Sequence, residues 1–391
     1  MRIAIVSDYY YPQLGGITEH VHGQATELTR RGHEVTVVTP RLLHVPRSID
    51  HDDQAARDFE IAHVGRGVPF YVNGSESLIS LGPRIPLILH RLYTRRKFDV
   101  VHVHNPFGGL LPQASILWSR APVTVATIHS VVPENYGPLR TFRPLLRRVF
   151  QRLDERICVS DAVIDSISPY FPHLDFRTIP NGIDVKFFSP DATPLPHLAG
   201  KRNIVFVGRF DPRNGVKHMI GAFAALRAGR DDVRLIVVGD GPLRSVVQRM
   251  VPAELRNEVH FAGRVNRLRP RYLASAEVLC TPCSLASFGM VLLEGMSAGL
   301  PVVASRLPGF AYVMREGIDG LMVDRADDEQ GFADALETLL DDPARAAAMG
   351  RAGRSRAVDA FGWPVVVDRL ESLYDELLHT RARGMLTRAA A

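Results

Sequence analysis

Hydrophobic positions along the chain alternate between short β-branched runs and longer amphipathic stretches. RIAIVS at 2–7 predicts a strand, ITEHVHGQATELTRRG at 17–32 predicts an amphipathic helix, and HEVTVVTP at 33–40 predicts the next strand. Later apolar runs predict further strands, with helical stretches between most of them: FDVVHVH, VTVATIHS, RICVS and FRTIPNG. Near-continuous apolar strands separated by helices are typical of a parallel sheet covered on both faces.

The same pattern restarts in the second half of the chain. Strands are predicted for NIVFVGR, VRLIVVGDGP, VHFAGRV, EVLCTP, LPVVAS and GLMVD, and helices for GVKHMIGAFAALRAG and LRSVVQRMV. The predicted fold is therefore α/β, with two Rossmann-like, doubly wound domains facing a cleft. We assign residues 1–182 to the first domain, 183–200 to a Pro-rich linker, 201–365 to the second domain and 366–391 to a C-terminal helix and frayed tail. Ligands of such sheets bind outside the carboxyl ends of the strands, so we expect the site in the cleft.

Composition narrows the class of protein. The chain has 391 residues, 46% of them hydrophobic and 23% charged, and none of its apolar runs reaches the roughly 18 to 20 residues of a bilayer span. Its start, MRIAIVSDYYYP, predicts a strand and a turn rather than a secretion signal, so we expect a cytoplasmic protein. The net charge of +5 carries no sign of a nucleic-acid partner.

Cysteine and histidine spacing gives no metal site. CTPC at 280–283 closes a predicted strand instead of opening a helix, and Cys158 is remote from it in the sequence, so all three cysteines are expected to be structural. The pairs His20/His22 and His102/His104 lack the i, i+4 spacing of helical metal ligands.

Glycine turns mark two candidate phosphate sites. Gly15 and Gly16 separate the first strand from the first helix, where a close backbone approach and free amides favour an anion. Gly239 and Gly241 form a second turn in VVGDGPL, but this turn lacks the third glycine of a dinucleotide fingerprint. A plain tight turn remains the alternative for both.

Two predicted strand ends carry polar side chains that are suited to binding or catalysis. Arg209 follows NIVFV, and its guanidinium fork suits a diphosphate; a surface arginine is the alternative. His129 ends the strand of ATIHS, where it is either a structural residue or part of a site.

The stretch SLASFGMVLLEGMSAGLPVVAS at 284–305 places a single acid among apolar neighbours. A turn at Ser287, Phe288 and Gly289 predicts a helix from Met290 and Val291 onward, with Glu294 one to two turns inside it. An ionised carboxylate accepts hydrogen bonds from vicinal hydroxyls, so a ribose is a suitable partner for it.

Together these motifs resemble the family-4 retaining glycosyltransferases of GT-B fold over about residues 1–365. The resemblance is carried by PQLGGITEHV, FDVVHVHNP, IHS, ICVSDAV, IPNGID, VGRFDPRNG, VVGDGP, SFGMVLLEGMSAGLPVV and DGLMVD. Within the family, the chain is most similar to bacterial phosphatidylinositol mannosyltransferases and related lipid glycosyltransferases.

The resemblance implies a role for each matching residue. Gly16 lies against the donor diphosphate, Arg209 neutralises its charge, Glu294 holds the ribose, and His129 contacts the transferred sugar. It further implies retention, help from the leaving phosphate in deprotonating the acceptor, and neither metal nor other cofactor. The full expected donor site comprises Gly15, Gly16, Arg209, Arg213, Asn214, Lys217, Gly239, Gly241, Ser287, Phe288, Gly289, Met290, Val291 and Glu294.

The chain departs from the family pattern at two positions. The family motif is E-x7-E, and its first glutamate falls on Ala286 (294 − 286 = 8). The lysine expected before the glycine of RNG is Asn214, which Arg213 or Lys217 would have to replace. Loss of one charge-assisted hydrogen bond of about 1.5–3 kcal/mol lowers a rate roughly ten- to hundredfold if the transition state feels it.

A basic amphipathic helix is predicted in LRTFRPLLRRVFQRLDER. It has an apolar stripe at Leu139, Phe142, Leu145, Leu146, Val149, Phe150 and Leu153, with arginines between these positions. Such a helix either rests on an anionic membrane or is an ordinary domain helix whose stripe faces the core. LILHRLYTRRKF adds a second basic cluster.

Three functional hypotheses follow. The first is a transferase that moves a sugar from GDP-mannose, or from a UDP-sugar, to a lipid or other small hydroxyl acceptor, either in the cytoplasm or as a peripheral protein on the inner face of the membrane. The second is a catalytically impaired nucleotide-sugar-binding protein, suggested by Ala286 and Asn214. The third, a nicotinamide oxidoreductase, lacks the G-x-G-x-x-G that would open the first helix.

Overall fold

The computed structural model describes residues 1–13, 15–42, 58–72, 75–241 and 243–389. The chain divides into two compact units. Unit 1 comprises Met1–Gly182 together with Trp363–Ala391, and unit 2 comprises Ile183–Gly362. Each unit is an α/β layer structure built around its own largely parallel sheet, as the sequence predicts.

Unit 1 is built on a sheet with the strand order β4-β3-β2-β1-β5-β6-β7-β8 among its described residues. Its central strands are buried along almost their whole length because both faces of the sheet are covered. The strands are β1 (Arg2–Val6), β2 (Glu34–Leu42), β3 (Glu60–Val72), β4 (Ser75–Leu81), β5 (Val100–His104), β6 (Val123–Ile128), β7 (Glu155–Cys158) and β8 (Arg177–Thr178). Its helices are α1 (Gly16–Arg30), α2 (Ile85–Arg96), α3 (Leu110–Trp118), α4 (Gly137–Phe150), α5 (Asp161–Ile167) and α13 (Trp363–Ala389).

The sequence does not predict the hairpin formed by β3 and β4. β3 pairs parallel with β2 and antiparallel with β4, for example Val68 opposite Ile79. Gly65, Gly67 and Pro69 interrupt the apolar run of β3 and hide its pattern. Proline and glycine are tolerated near the edge of a sheet, where fewer ladder hydrogen bonds are required.

Crossover direction decides which helices share a face of the unit 1 sheet. Connections between parallel strands are almost always right-handed. The steps from β5 to β6 and from β6 to β7 run in one direction across the sheet, whereas the step from β1 to β2 runs in the other. Helices α3 and α4 therefore lie on one face, with α2 packed beside α3, and α1 and α13 pack together on the opposite face.

The apolar stripe predicted for α4 is only partly buried. Leu139, Leu146, Val149 and Phe150 of this helix face the core, and Leu153 beyond its end is also buried. Phe142 and Leu145, by contrast, are 57% and 49% exposed. Most of the stripe therefore faces the core, as one of the two alternatives predicts, and the membrane contact of the exposed remainder stays a prediction.

Trp363 fixes the last helix to unit 1. A Cβ atom placed on Gly23 of α1 would lie 2.2 Å from the indole of Trp363, and one on Gly182 would lie 2.5 Å from it. The indole thus fills a slot that only two glycines leave open. Further along α13, the Tyr374 hydroxyl lies 2.6 Å from His102 Nδ1, and Glu371 pairs with Arg31 of α1.

Unit 2 has the strand order β11-β10-β9-β12-β13-β14 in the part of the chain that the structure describes. The pairings between these neighbours are parallel. The strands are β9 (Arg202–Val207), β10 (Val233–Val238), β11 (Val259–Gly263), β12 (Val278–Thr281), β13 (Val302–Ser305) and β14 (Gly320–Val323). Its helices are α6 (Val216–Arg227), α7 (Arg244–Met250), α8 (Arg269–Ala274), α9 (Met290–Ser297), α10 (Pro308–Val313), α11 (Glu329–Asp341) and α12 (Pro343–Phe361).

Two segments lie elsewhere than the sequence suggests. The predicted linker, residues 183–200, falls within unit 2, where Leu195 and Leu198 are buried. The predicted C-terminal helix begins at Trp363 and belongs to unit 1. Of the tail expected to fray, residues 385–389 continue α13, since no proline or glycine interrupts them, and residues 390–391 lie outside the described residues.

The slot for Trp363 provides a test of how unit 1 holds its last helix. We expect Gly182→Ala to destabilise unit 1 by about 1–3 kcal/mol, because the new methyl group overpacks against the indole. Urea unfolding followed by tryptophan fluorescence measures this change. Gly137→Ala is the matched control, since a Cβ at this first residue of α4 meets nothing within 4 Å. Equal unfolding midpoints for the two variants would contradict the slot.

Candidate functional site

The strand order of unit 1 reverses direction at β1. The chain passes from β1 to β2 on one side, and β5 later takes the place on the other side. The loops that follow β1 and β5 therefore diverge and leave a crevice at the carboxyl edge, the usual ligand position in such sheets. Asp8, two residues beyond β1, spans this crevice by accepting a 2.5 Å hydrogen bond from the Gly109 amide.

Gly15 and Gly16 stand at the same edge, where α1 begins. Both are exposed, and a Cβ on Gly15 would meet no atom within 4 Å. Gly15 has φ 165°, an extended conformation open to any residue, so backbone strain does not require glycine here. The absence of a side chain leaves the first amides of a 15-residue helix accessible, as an anion site needs.

Three histidines from separate elements meet behind these glycines. His104 ends β5, His129 follows β6, and His20 lies on α1. His104 Nδ1 is 2.9 Å from His129 Nε2, and the His20 ring centroid lies 5.3 Å and 5.0 Å from those of His104 and His129. Each of the three offers a nitrogen within 4.8 Å of the others, which is close enough for a shared metal ion. Because the 2.9 Å contact is equally a hydrogen bond between two rings, the expectation of no metal stays a prediction.

Burial keeps these histidines neutral. It lowers the pKa of His20 and His104 well below the usual value, with neighbouring histidines adding to the effect. It lowers the pKa of His129 to about 3, with the Asn181 amide acting in the opposite direction. His102, which stacks on His104 with centroids 4.5 Å apart, has a pKa lowered to about 3 by the same burial. Neutral imidazoles donate at one nitrogen and accept at the other, which suits hydroxyl groups.

Asp8 shows the converse effect of burial. Burial raises its carboxyl pKa to about 6, against the opposing hydrogen bonds from Ser80 and Gly109. A carboxyl group with this pKa stands ready to bind or release a proton near neutral pH.

Several buried polar atoms at this edge lack a hydrogen-bond partner among the described residues. They are Asp8 Oδ1, Gln13 Oε1, His20 Nδ1 and His104 Nε2. Buried polar atoms in folded proteins are almost always satisfied, by protein, by water or by a ligand. The atoms at this edge are therefore available to the hydroxyl groups of a ligand or to water.

The strand order of unit 2 reverses at β9, between β10 and β12. Arg209 leaves the carboxyl end of β9 at this reversal point and is 46% exposed at its side chain. Its guanidinium lies 3.5 Å from the carboxylate of Asp211. Asp211 in turn accepts hydrogen bonds from the amides of Arg213 and Asn214, so it shapes the turn that follows Arg209.

The loops after β9 and β12 are joined directly. The Arg213 carbonyl accepts hydrogen bonds from the Ser284 amide at 2.8 Å and from the Cys283 thiol at 3.0 Å. Gly215, with φ 74°, lies so close to the second loop that a Cβ would sit 1.7 Å from the Pro282 carbonyl oxygen. Sequence positions about 70 residues apart thus form one surface, as expected at a reversal point.

Glu294 lies five residues into α9 and is buried. Its carboxylate is 3.3 Å from the Nε of Arg269, the first residue of α8. The Arg269 guanidinium also lies over the Phe188 ring, 5.3 Å from its centroid. This arginine balances the negative charge of the buried carboxylate.

The remaining predicted donor residues surround the same loops. Gly239 follows β10, and a Cβ on it would lie 1.9 Å from the Gly208 carbonyl oxygen, so close packing of two loops requires glycine there. A Cβ on Gly241 would lie 3.0 Å from the Phe210 backbone. Lys217 is exposed in the first turn of α6. The side-chain amide of Asn214 donates a hydrogen bond to the Arg209 carbonyl oxygen at 3.0 Å.

Ala286 lies on the loop between β12 and α9. It is partly buried, and Ser287 beside it is partly buried as well. Phe288 is buried, Gly289 has φ 122° and packs against Phe310, and α9 starts at Met290, followed by Val291. The helix start therefore agrees with its predicted position.

The cysteines are buried and unbridged, as the sequence suggests. Burial raises the pKa of Cys158 to about 12 and that of Cys283 to about 11, so neither is poised as a thiolate. Cys283 instead serves as a hydrogen-bond donor between the two loops of unit 2.

Sequence reasoning missed four residues of these sites: Asp8, His20, His104 and Arg269. For Asp8 a signal existed, since an acid directly after the first strand sits at the reversal point of the sheet. The histidines were judged by spacing within one element, which says nothing of residues on α1, β5 and β6. Arg269 lies in an arginine-rich stretch, RVNRLRPRY, without any local mark that separates it from its neighbours.

The neutral histidines predict how acid destabilises unit 1. An unfolded histidine binds a proton below about pH 6.5, whereas buried His102 does so only near pH 3. The free energy of unfolding should therefore fall as the pH drops from 6.5, and His102→Gln should reduce this slope by about 1.4 kcal/mol per pH unit near pH 5. Asp8 opposes the trend between about pH 4 and 6, since its raised pKa favours the folded state at low pH.

Urea unfolding at several pH values between 5 and 7 measures the slope. His379→Gln, the same substitution at an exposed position of α13, is the control for the change of side chain. An unaltered slope in His102→Gln would contradict a neutral histidine core.

Sequence comparison places both units in known families. A family described as "Glycosyltransferase Family 4" matches residues 14–187, and one described as "Glycosyl transferases group 1" matches residues 201–342. In fold, the chain is similar to the Anabaena protein HepE, solved in complex with UDP-glucose, with a TM-score of 0.74 and 18% identity over 96% of this chain and 100% of that one. This likeness supports the GT-B fold.

Two curated relatives come from Mycolicibacterium smegmatis. The phosphatidyl-myo-inositol mannosyltransferase is 32% identical over 96% of this chain and 94% of the relative. The GDP-mannose-dependent alpha-(1-6)-phosphatidylinositol monomannoside mannosyltransferase is 29% identical over 94% of this chain and 97% of the relative. Identity at this level, sustained across nearly the whole chain, shows that the protein is a glycosyltransferase and belongs to family 4.

Proposed function

We propose that this glycosyltransferase transfers mannose from GDP-mannose to a hydroxyl group of an inositol phospholipid or a related lipid. The observation that carries the proposal is the set of unpartnered buried polar atoms at the carboxyl edge of unit 1, where a hydroxyl-rich ligand fits. The names of the two curated relatives supply the donor and the acceptor class. A UDP-sugar donor is the nearest alternative, favoured by the UDP-glucose in the solved neighbour.

Unit 2 would hold the nucleotide end of the donor. Glu294 is the ribose partner, because its carboxylate accepts from two vicinal hydroxyls while Arg269 balances its charge. Arg209 and Arg213 face the diphosphate; Asp211 lies 3.5 Å and 4.0 Å from their guanidinium nitrogens and holds both near the reversal point. Lys217 is exposed one turn further and adds positive charge.

Unit 1 would hold the transferred sugar and the acceptor. His129, kept neutral by burial, acts as a hydrogen-bond partner of a sugar hydroxyl rather than as a cation. The accessible amides at Gly16 stabilise the phosphate from which the sugar departs. As the bond from the anomeric carbon to the phosphate oxygen breaks, the acceptor oxygen bonds to that carbon on the same face, and its proton passes to the departing phosphate. The protein then contributes mainly positioning and charge stabilisation.

A nucleotide-sugar-binding protein with impaired turnover is the second candidate. Ala286 has no carboxylate to offer the sugar. The side-chain amide of Asn214 donates a hydrogen bond to the Arg209 carbonyl and supplies no positive charge. Both departures weaken contacts to the reacting part of the donor and leave the ribose contact of Glu294 in place. Binding without transfer is the outcome that this pattern favours.

Restoring the missing glutamate separates the two candidates. We expect Ala286→Glu to raise kcat about ten- to hundredfold, because a charge-assisted hydrogen bond to a sugar hydroxyl contributes about 1.5–3 kcal/mol in the transition state. Nucleotide release from GDP-mannose, UDP-glucose and other sugar nucleotides, with phosphatidylinositol or total lipid extract as acceptor, measures it.

Ser284→Glu, two residues earlier on the same loop and exposed, is the control for added charge. Equal turnover by the parent chain and Ala286→Glu would mean that another residue contacts the sugar. Nucleotide binding without turnover in both chains would overturn the transferase proposal in favour of the binding protein.

Arg269 is expected to act through Glu294. Arg269→Ala should weaken GDP-mannose binding at least tenfold, because the buried Glu294 carboxylate loses a positive partner that lies 3.3 Å away. Glu294→Gln should weaken it as well, and the double variant should bind no worse than the weaker single one, since the two residues form one unit. Titration calorimetry with GDP-mannose and with GDP tests this. Additive losses would show that Arg269 has a separate role.

A further inference from the structure

The first residues of unit 2, 183–188, are held against helix α12 at both ends. We call them the entry segment. At its start, the Ile183 amide donates a 2.9 Å hydrogen bond to the carbonyl oxygen of Phe361, the last residue of α12. At its end, Nη1 of Arg354 on α12 donates to the Phe188 carbonyl oxygen at 3.0 Å. The helix therefore fixes the position of the whole segment.

A turn inside the entry segment decides which of two phenylalanines is buried. The Asp184 carboxylate accepts hydrogen bonds from the amides of Lys186 and Phe187, both at 2.9 Å. The Asp184 carbonyl oxygen accepts one from the Phe188 amide at 3.0 Å. The turn leaves Phe187 41% exposed and Phe188 only 5% exposed. The buried ring is the one over which the Arg269 guanidinium lies.

Helix α9 meets the entry segment with the side that carries Glu294. Ser297 follows Glu294 by three residues, so the two side chains are neighbours on the surface of the helix. The Ser297 hydroxyl donates a buried 2.8 Å hydrogen bond to the Phe188 carbonyl oxygen. Nη1 of Arg354 adds to this contact, since it lies 2.6 Å from the Ser297 carbonyl oxygen and 3.0 Å from Ser297 Oγ.

Two glycines of α12 bring Arg354 this close to α9. A Cβ on Gly350 would lie 2.1 Å from the Gly299 carbonyl oxygen, and one on Gly353 would lie 3.2 Å from Met296 Cγ. Burial at this close contact lowers the pKa of the Arg354 guanidinium. Removing a charge from water is costly, and its hydrogen bonds to the entry segment and to α9 offset that cost.

These contacts form a closed ring that begins and ends on α9. Glu294 is paired with Arg269 at 3.3 Å. The Arg269 guanidinium lies 5.3 Å from the centroid of the Phe188 ring. The Phe188 carbonyl oxygen is bonded back to Ser297, one turn beyond Glu294. The position of the arginine beside the carboxylate thus depends on where the phenylalanine is held.

We propose that Phe188 and Arg354 are positioning residues, which hold Arg269 against Glu294 and so set the affinity of unit 2 for the ribose hydroxyls of a nucleotide. The inference rests on the proposed role of Glu294 as the ribose partner. Phe188 acts through the cation–π contact, which is stronger in a desolvated site, and Arg354 acts through the backbone of the entry segment. Without them the guanidinium can turn away, and the carboxylate loses the fixed orientation in which it accepts from two vicinal hydroxyls.

A comparison of two nucleotides isolates the ribose contact. Titration calorimetry of the full chain with GDP and with 2′,3′-dideoxy-GDP, which lacks both ribose hydroxyls, gives two dissociation constants for each variant. We expect the parent chain to bind GDP at least tenfold more tightly, because hydrogen bonds to a charged carboxylate are lost with the dideoxy nucleotide. General damage to unit 2 weakens both nucleotides equally, whereas a positioning role changes the ratio of the two constants.

Phe188→Leu removes the aromatic ring and keeps an apolar side chain. It should weaken GDP binding about fivefold and leave the binding of dideoxy-GDP within about twofold of the parent chain. Arg354→Ala should change the ratio in the same direction. Arg354→Lys, which keeps a positive charge but not the guanidinium fork, is the milder variant should circular dichroism show that the alanine variant does not fold. In a Glu294→Gln background, Phe188→Leu should leave the ratio unchanged, since both act through one carboxylate.

Matched controls lie beside each of the two residues. Phe187→Leu makes the same change at the exposed neighbouring phenylalanine. Arg351→Ala removes an exposed arginine three residues earlier on α12. Both controls should bind the two nucleotides like the parent chain.

Two results would overturn the positioning roles alone. One is an unchanged ratio in Phe188→Leu and in the folded Arg354 variants. The other is an equal loss of affinity for both nucleotides, which would show that the entry segment supports the fold of unit 2 and not the ribose contact.

Failure of the proposed function would look different. If the parent chain binds UDP in place of GDP, the proposed donor is wrong, and the same ratio measured with UDP and 2′,3′-dideoxy-UDP decides the positioning roles. If the parent chain binds the ribose and dideoxy forms equally, Glu294 does not hold the ribose, and the inference falls with that role.

Discussion

The direction of right-handed crossovers is the constraint on which both candidate sites depend. A parallel sheet that is extended first to one side of its initial strand and then to the other must place its connecting helices on opposite faces. The loops at the point of reversal diverge, and the backbone there leaves polar groups uncovered. In unit 1 this happens between β1 and β5, and in unit 2 between β9 and β12. Asp8, His104, Arg209 and Glu294 all owe their positions to these two reversals.

The two reversal points differ in the charge state of their side chains. In unit 1 burial removes charge: four histidines stay neutral, and Asp8 has a pKa raised to about 6. In unit 2 charge is kept and balanced, with Arg269 against Glu294 and with Arg209 and Arg213 around Asp211. A neutral, hydrogen-bonding surface is suited to hydroxyl groups, and a surface rich in arginine is suited to phosphates. The division agrees with a sugar-and-acceptor unit and a nucleotide unit.

Much of this could be read from the sequence, because the relevant signals are local. Apolar runs predicted the strands of both sheets except the β3–β4 hairpin, and the turn before Met290 predicted the start of α9, with Glu294 one to two turns inside it. The remaining features depend on contacts between distant segments. The packing of the last helix on unit 1 depends on the slot between Gly23 and Gly182. Neither glycine predicts contact with a tryptophan that lies 181 or more residues away in the sequence. The meeting of His20, His104 and His129 depends likewise on strand order.

The α4 helix shows that a hydrophobic stripe does not predict which of its residues are buried. A helical stripe identifies which residues share a side, but a helix on a sheet buries only the part of the stripe that reaches the strands. Phe142 and Leu145 lie on the same predicted stripe as Leu139 and Leu146, and burial alone separates them.

Ala286 changes the balance of charge in unit 2 as well as one contact. A glutamate there would add negative charge to a loop that is tied to the Arg213 carbonyl and lies beside the arginines of the β9 loop. In the proposed function, alanine at this position leaves the net charge around those arginines more positive, which would strengthen the binding of the donor diphosphate. The same change would remove an acceptor for the sugar hydroxyls. Affinity for the nucleotide and discrimination between sugars would thus be separated at this one position.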